Sequence, residues 1–122
     1  MRILLIDDDA DIRMLAGFVL EQAGHELTFA ESGAAGIAAA ADAHDLVLLD
    51  YRLGDMTGLD VLPTLLNAHP DRPVVFLTGA DEPAATRALL DAGAVAVIAK
   101  PFDPERLAEQ VAAACGDHGP ER

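Results

Sequence analysis

Apolar positions along the chain follow two rhythms. Four short runs, at 3–6 (ILLI), 46–49 (LVLL), 74–77 (VVFL) and 95–99 (VAVIA), are apolar at every position and bounded by polar or turn residues. Runs of that length without polar alternation suit strands of a parallel sheet covered on both faces. The more polar stretch ELTFA, Glu26 to Ala30, reads as an outer strand. Between the runs the spacing changes to three and four. Ile12, Leu15, Ala16, Val19 and Ala23 mark a first helix that Gly24 stops. Ser32 is placed to cap a second helix reaching about Ala41, and residues 57–68 form a third. Pro63 lies inside that third helix and, lacking an N–H, is expected to loosen or kink it. Asp81 precedes a fourth helix ended by Gly93, and Asp103 with Pro104 opens a fifth through Ala114. Strand and helix thus alternate five times with short connections, which predicts α/β architecture with a single doubly wound parallel sheet.

Composition narrows the class. At 122 residues, 52% hydrophobic and 24% charged, the chain can bury one core and is not a disordered acidic tail. The folded unit is expected over 1–115, with 116–122 as a flexible tail. Eight basic residues against 21 acidic ones leave a net charge of −13. That balance argues against direct nucleic-acid binding, which relies on Lys and Arg displacing counterions from phosphates. The lone Cys115 cannot form an internal disulfide and fits a reducing compartment. The opening MRILLID is too short and wrongly flanked for a signal peptide, and no apolar run has membrane-spanning length. A cytoplasmic protein with no membrane partner is expected.

The chemistry lies directly after the strands. Parallel strands deliver their carboxyl ends to one edge, where such sheets bind ligands. Asp7, Asp8 and Asp9 follow the first run, Asp50 the third, Thr78 and Gly79 the fourth, Lys100 and Pro101 the fifth. Asp7, Asp8 and Asp50 would crowd three negative charges into one cleft, and one divalent cation together with Lys100 would neutralise them. Hard carboxylate oxygens with room for water and phosphate suit Mg²⁺, with Mn²⁺ a substitute. A Thr78 hydroxyl can donate to a phosphoryl oxygen, Gly79 leaves room for the group, and Asp is an established covalent acceptor. The parts suggest phosphoryl transfer driven by positioning and charge neutralisation. Seven of the eight bases are Arg, and the single Lys falls at this edge. The first strand–helix turn is acidic rather than glycine-rich, which excludes a Rossmann dinucleotide site.

Other acids, the histidines, Cys115 and Tyr51 fit blander roles. Asp9 and Asp11 read as helix caps and surface charge. Asp7, Asp9 and Asp11 mimic a calcium loop, but Ile12 and Phe18 replace its essential Gly and Glu. His25, His44, His69 and His118 lack ligand spacing and default to surface positions, Cys115 to helix packing, and Tyr51 to the rim of the cleft or its loop.

The segments Ile6-Asp7-Asp8-Asp9, Asp45-Leu46-Val47-Leu48-Leu49-Asp50 with Gly58 eight positions on, Leu77-Thr78-Gly79 and Lys100-Pro101-Phe102 resemble the receiver domains of bacterial two-component response regulators. The resemblance runs over about 2–114. It implies a flavodoxin-like fold with five strands in the order 2-1-3-4-5, flanked by five helices. It makes Asp50 the phosphoacceptor, taking a phosphoryl group from a phosphohistidine on a sensor kinase or phosphotransfer protein. Asp8, Asp50 and the Arg52 backbone carbonyl would ligate Mg²⁺, with Asp7 assisting through water. Lys100 would pair with phosphoryl oxygens and Thr78 would hydrogen-bond them, switching the face formed by the fourth helix, fifth strand and fifth helix. A cis Lys100–Pro101 bond is implied, as is partner docking near Asp11 and Met14 and at the loop after Lys100. The protein would be no enzyme beyond its own phosphotransfer and autodephosphorylation. It would act on a downstream protein or on an output domain outside this sequence, and homodimerisation on activation would be open to it. Gly54 stands where such domains usually have Pro, which predicts a more flexible loop. Thr57 replaces a common acid, and Val97 replaces the usual aromatic residue of the switch. Arg52 could reach over the mouth of the site. Two other readings compete: a small phosphohydrolase of the haloacid-dehalogenase kind, with Asp7 as nucleophile and Asp9 as acid/base, and an unphosphorylated pseudo-receiver that only binds protein.

Overall fold

The computed structural model describes residues 1–79 and 83–116. Strand and helix alternate as β1 (Arg2–Ile6), α1 (Ala10–Gln22), β2 (Glu26–Ala30), α2 (Gly33–Ala39), β3 (Leu46–Asp50), α3 (Gly58–Ala68), β4 (Val74–Gly79), α4 (Pro83–Asp91), β5 (Ala96–Lys100) and α5 (Pro104–Gly116). The five strands form one sheet in the order β2-β1-β3-β4-β5, parallel at every pairing. The expected strand order is therefore present, with the polar ELTFA segment at an edge.

Two cores account for the uninterrupted apolar runs. Leu4, Ile6, Val47, Leu49, Val74 and Phe76 face α2, α3 and α4 through Ile37, Val61, Leu62, Leu65 and Leu89. Ile3, Leu5, Leu46, Leu48, Val75, Leu77 and Ile98 face α1 and α5 through Ala16, Leu20, Leu107, Val111 and Ala114. Every residue of β3 is buried, Asp50 included. Each large apolar side chain so placed contributes about 1.5–3 kcal/mol of burial free energy. That burial holds the carboxyl ends of β1, β3, β4 and β5 in a fixed register.

The helix boundaries have local causes. The Asp9 side chain accepts from the Asp11 and Ile12 N–H groups and caps α1, while Ser32 accepts from Ala35 and caps α2. Thr57 and Asp60 form a reciprocal capping box at α3. Pro63 does not divide α3, which runs as one element around it. Capping before the proline, with burial of Val61, Leu62 and Leu65 on either side of it, outweighs the missing hydrogen bond. The α2 helix ends at Ala39, with Ala40 as its cap, short of the expected Ala41. The Arg72 guanidinium reaches the Ala40 and Asp42 carbonyls at that end, at 3.1 and 3.3 Å. His44 corrects the expectation of four surface histidines: only 9% exposed, it bonds the Asp42 carbonyl at 3.2 Å. Burial lowers its pKa. Cys115 packs against the α1–α5 core as expected. Asp81 ahead of the fourth helix, the surface role of His118 and, from 117 onward, the tail read at 116–122 lie outside the described residues, while Gly116 is the last residue of α5.

Candidate functional site

The edge where the strands end carries a cleft of about 300 Å³ lined by Asp8, Asp9, Asp50, Tyr51, Arg52, Thr78, Gly79 and Lys100. Parallel pairing assembles it. Asp50 is the last residue of β3 and pairs with Leu77, one residue before Thr78, while Gly79 pairs with Lys100. An additional bond from the Asp7 N–H to the Ala30 carbonyl, 3.0 Å, extends the β1–β2 ladder one residue past Ile6. Asp7 is thereby drawn beneath the cleft, with 0% of its surface exposed. Asp8, the next residue, turns outward and is exposed.

The acids and the lysine form one electrostatic unit. Carboxylate oxygens of Asp7, Asp8 and Asp50 lie within 4.8 Å of one another. The Lys100 ammonium sits 3.0 Å from Asp7 Oδ2 and 3.2 Å from Asp50 Oδ1. Asp7 Oδ1 accepts the Asp9 N–H at 2.9 Å, so both its oxygens are engaged. The Arg13 guanidinium donates to the Asp7 carbonyl at 2.7 Å from behind. Burial, and next the charge of Asp7, push the Asp50 carboxyl up from 3.8 to about 6; Lys100 opposes the rise and Asp8 adds to it. Burial by itself would lower the Lys100 ammonium, but hydrogen bonding to Asp7 and the charges of Asp7 and Asp50 outweigh it and raise its pKa. Besides burial, the two shifts share one cause, an excess of carboxylate that a single lysine does not cancel.

That excess is the test of whether the residues suit a divalent cation, and they do. Three hard oxygen donors within reach of one point, one of them held well above its ordinary pKa, match the donor set and charge of a Mg²⁺ site. The Thr78 hydroxyl supplies the complementary feature. It is buried, has no hydrogen-bond partner among the described residues, and lies in the cleft wall. An unsatisfied buried hydroxyl costs about 1–3 kcal/mol, which an incoming acceptor oxygen would recover.

The sequence-predicted residues Asp7, Asp8, Asp50, Arg52, Thr78 and Lys100 are thus all at this edge, with Asp7 supporting from below rather than lining the cleft. The geometry counts against Asp7 as a nucleophile, since its oxygens are committed to the Asp9 N–H and Lys100. Asp9, the acid/base of that scheme, spends Oδ1 on the α1 N-cap, at 2.8 Å from the Asp11 N–H. The Lys100–Pro101 peptide is cis. The Arg52 guanidinium lies over the Tyr51 ring, 5.9 Å from its centroid, at the cleft rim. Gly54 adopts φ +84°, a conformation closed to Pro, so glycine there meets a backbone requirement. At Gly58 a Cβ would lie 2.7 Å from the Phe76 ring and 2.8 Å from the Asp50 carbonyl, so only glycine lets α3 start this close to Asp50.

Three contacts were invisible in the sequence pattern: Arg13 on the Asp7 carbonyl, Arg72 at the end of α2, and Asp55 on the first N–H groups of α2. The Arg72 and Asp55 contacts join segments 21 to 32 residues apart, and Arg13 reaches a backbone carbonyl six residues back, which no side-chain spacing signals. The two backbone N–H groups hold the Asp55 carboxyl below its ordinary pKa.

The family model described as "Response regulator receiver domain" matches residues 3–112. The transcriptional regulatory protein YkoG of Bacillus subtilis, described as uncharacterized, is 35% identical over 118 residues, covering 96% of this chain and 52% of that protein. The C4-dicarboxylate transport transcriptional regulatory protein DctD of Rhizobium meliloti is 38% identical over 109 residues, 88% of this chain and 24% of that one. The chain therefore spans about half the length of YkoG and about a quarter of DctD. Among solved structures, a CheY-like response regulator receiver domain protein from Methanospirillum hungatei superposes with a TM-score of 0.91 at 30% identity, covering 99% of this chain and 98% of that one. The receiver domain of NtrX from Brucella abortus superposes with a TM-score of 0.87 at 34% identity, covering 93% and 97%.

Proposed function

The chain belongs to the response regulator receiver domain family of two-component signalling, whose general function is phosphorylation on Asp, and from that premise we propose that Asp50 is its phosphoacceptor. The observation that carries the assignment is the Asp50 carboxylate at the floor of an open cleft, held 3.2 Å from Lys100 and sharing the cleft with a Thr78 hydroxyl that has no partner among the described residues. An Asp50 oxygen attacks the phosphorus of a phosphohistidine; the P–N bond breaks, a P–O bond forms, and the imidazole leaves with the electron pair. Lys100 neutralises charge on the transferred oxygens, and Thr78 Oγ1 donates to one of them. Asp8, Asp50 and the Arg52 carbonyl would hold Mg²⁺, with Asp7 supporting through water. Bound there, the cation supplies charge neutralisation and orientation of phosphate oxygens.

The receiver unit is taken as 1–115, with 116–122 as tail. Its only catalysis would be its own phosphotransfer and dephosphorylation. Its donor would be a sensor histidine kinase or phosphotransfer protein in the cytoplasm, docking on the exposed α1 surface around Asp11 and Met14, where Met14 is 73% and Phe18 61% exposed. An occupied Asp50 would bias the α4-β5-α5 face through Thr78 toward a downstream protein or output domain. Val97, half-buried against the α2–α4 core, gives that face no aromatic ring to rotate, so the threonine carries the switch. Several relatives are described as transcriptional or DNA-binding regulators, so nucleic acid would be reached through an output domain rather than this acidic surface. No helix among the described residues is long and apolar enough to cross a membrane.

Incubation with acetyl phosphate and Mg²⁺, followed by intact mass measurement, tests the assignment. One acid-labile phosphoryl group per chain is expected, lost in Asp50→Asn and retained in Asp9→Asn. Label retained in Asp50→Asn and mapped to Asp7 would favour a phosphohydrolase, and no label from any donor would favour a binding module.

A further inference from the structure

We propose that Asp55 is a positioning residue for the metal-facing loop, its carboxylate tying the β3–α3 connection to α2 and so holding the Arg52 carbonyl and the Gly54 turn against Asp8. Asp55 is exposed and has no part in the chemistry described so far. Its two oxygens nevertheless accept two backbone N–H groups, Gly33 at 2.9 Å and Ala34 at 3.0 Å, from 22 and 21 residues away. The first N–H groups of a helix lack intrahelical acceptors, but at an exposed end water can serve them. Ser32 already caps α2 through the Ala35 N–H at 3.0 Å. A distant carboxylate adds little for so short a helix; what it changes is the freedom of the loop.

An apolar contact repeats the polar one. Met56 lies on Gly33, where a Cβ would come within 2.4 Å of Met56 Cγ, so the loop rests directly on the α2 backbone. The inner side of the loop is closed. Leu53 is 2% exposed, its N–H reaches the Met56 carbonyl at 3.2 Å, Arg52 pairs with Thr57, and the Gly58 N–H reaches the Tyr51 carbonyl at 2.6 Å. At the tip, a Cβ on Gly54 would lie 3.6 Å from Asp8 Oδ2. The turn thus moves as a unit. One residue, Gly54, faces the acid cluster, and the next, Asp55, fixes the turn to a second element. Release at Asp55 would let the Arg52 carbonyl and the wall beside Asp8 drift together. The inference rests on the proposed ligand role of Arg52, and supporting groups of this kind set metal affinity without touching the metal.

Tyr51, the only tyrosine in a chain without tryptophan, lines the cleft and reports binding by its own fluorescence. Mg²⁺ would be titrated into wild type, Asp55→Ala, Asp55→Asn and Ser32→Ala. A salt concentration of about 0.5 M keeps the Debye length near 4 Å, so loss of one exposed charge is screened. Asp55→Ala is expected to weaken Mg²⁺ binding about 10-fold, the bottom of the range for supporting groups, and Asp55→Asn, which keeps one acceptor oxygen, less. Ser32→Ala weakens the same helix end without touching the loop and should leave the Mg²⁺ Kd unchanged. In the metal-free protein, amide hydrogen exchange at Leu53 and Gly58 should accelerate in Asp55→Ala but not in Ser32→Ala. Unchanged exchange at both amides in Asp55→Ala, or equal loosening in Ser32→Ala, would overturn the positioning role and leave Asp55 a helix cap. Accelerated exchange with an unchanged Mg²⁺ Kd would overturn it too, by separating the loop from the metal. A Mg²⁺ response that survives in Asp50→Asn would overturn the metal-site assignment instead.

Discussion

Replacing Asp50 by Asn should stabilise the metal-free protein, although it destroys the proposed acceptor. The residue is 7% exposed and its carboxyl is pushed up from 3.8 to about 6, first by burial and next by Asp7. At about 1.4 kcal/mol per pKa unit, the ionised form costs the fold at most ~3 kcal/mol. Water at the open mouth of the cleft screens part of this, which leaves about 1–2 kcal/mol. Asn keeps the shape and the polar contact, removes the charge, and leaves Lys100 its 3.0 Å partner Asp7. Because the folded pKa lies above the unfolded one, the cost is fully present above about pH 7. It declines as pH falls through about 6 and is gone below 3.8, where both states are protonated. The raised pKa of Lys100 reflects stability that is constant below 10.5 and is lost only as pH rises through its folded value, so it adds no pH dependence in this window. Urea denaturation in EDTA at about pH 7.5 should therefore show the variant ahead by about 1–2 kcal/mol, or roughly 4–8 °C in Tm for a chain of this length. Near pH 4 the two proteins should coincide. Saturating Mg²⁺ should stabilise the wild type and not the variant, reversing the order at neutral pH. A variant less stable than wild type in EDTA at neutral pH, or an advantage that persists unchanged to pH 4, would refute the electrostatic account of the site.

Asp8→Asn should also raise metal-free stability, by less than Asp50→Asn because Asp8 is exposed, and should weaken Mg²⁺ binding measured by titration calorimetry. Thr78→Val removes a buried hydroxyl with no partner among the described residues and should stabilise the unphosphorylated protein by about 1 kcal/mol in urea, while slowing labelling by acetyl phosphate. Gly58→Ala forces a Cβ to within 2.7 Å of the Phe76 ring and 2.8 Å of the Asp50 carbonyl. It should cost about 1–3 kcal/mol in urea denaturation and lower labelling through displacement of the acceptor.

Much of the site was legible because a parallel sheet converts sequence order into spatial order. Every strand of a β-α repeat ends at the same edge, so the residues after each apolar run become neighbours whatever the loops do. Asp7, Asp8, Asp50, Thr78 and Lys100 could be placed together on that ground alone. The caps at Asp9 and Ser32 were equally accessible, because a cap acts within three residues of itself. At Pro63 the local cost is visible in the sequence, whereas the burial of Val61, Leu62 and Leu65 that keeps the helix in one piece is not.

What the sequence by itself determined is the topology, the residues at the carboxyl edge of the sheet and the sign of their charge. The tertiary structure alone decided how neighbours divide the work. Asp7 and Asp8 are identical in type and adjacent, yet one extra bond to Ala30 buries Asp7 against Lys100 while Asp8 faces the solvent. Arg72, one of seven interchangeable-looking arginines, is 6% exposed and closes a helix end 32 residues away. Asp55 joins α2 over a similar gap. Such contacts depend on distances between elements, set by side-chain packing across the two cores, and pattern along the chain carries no record of them.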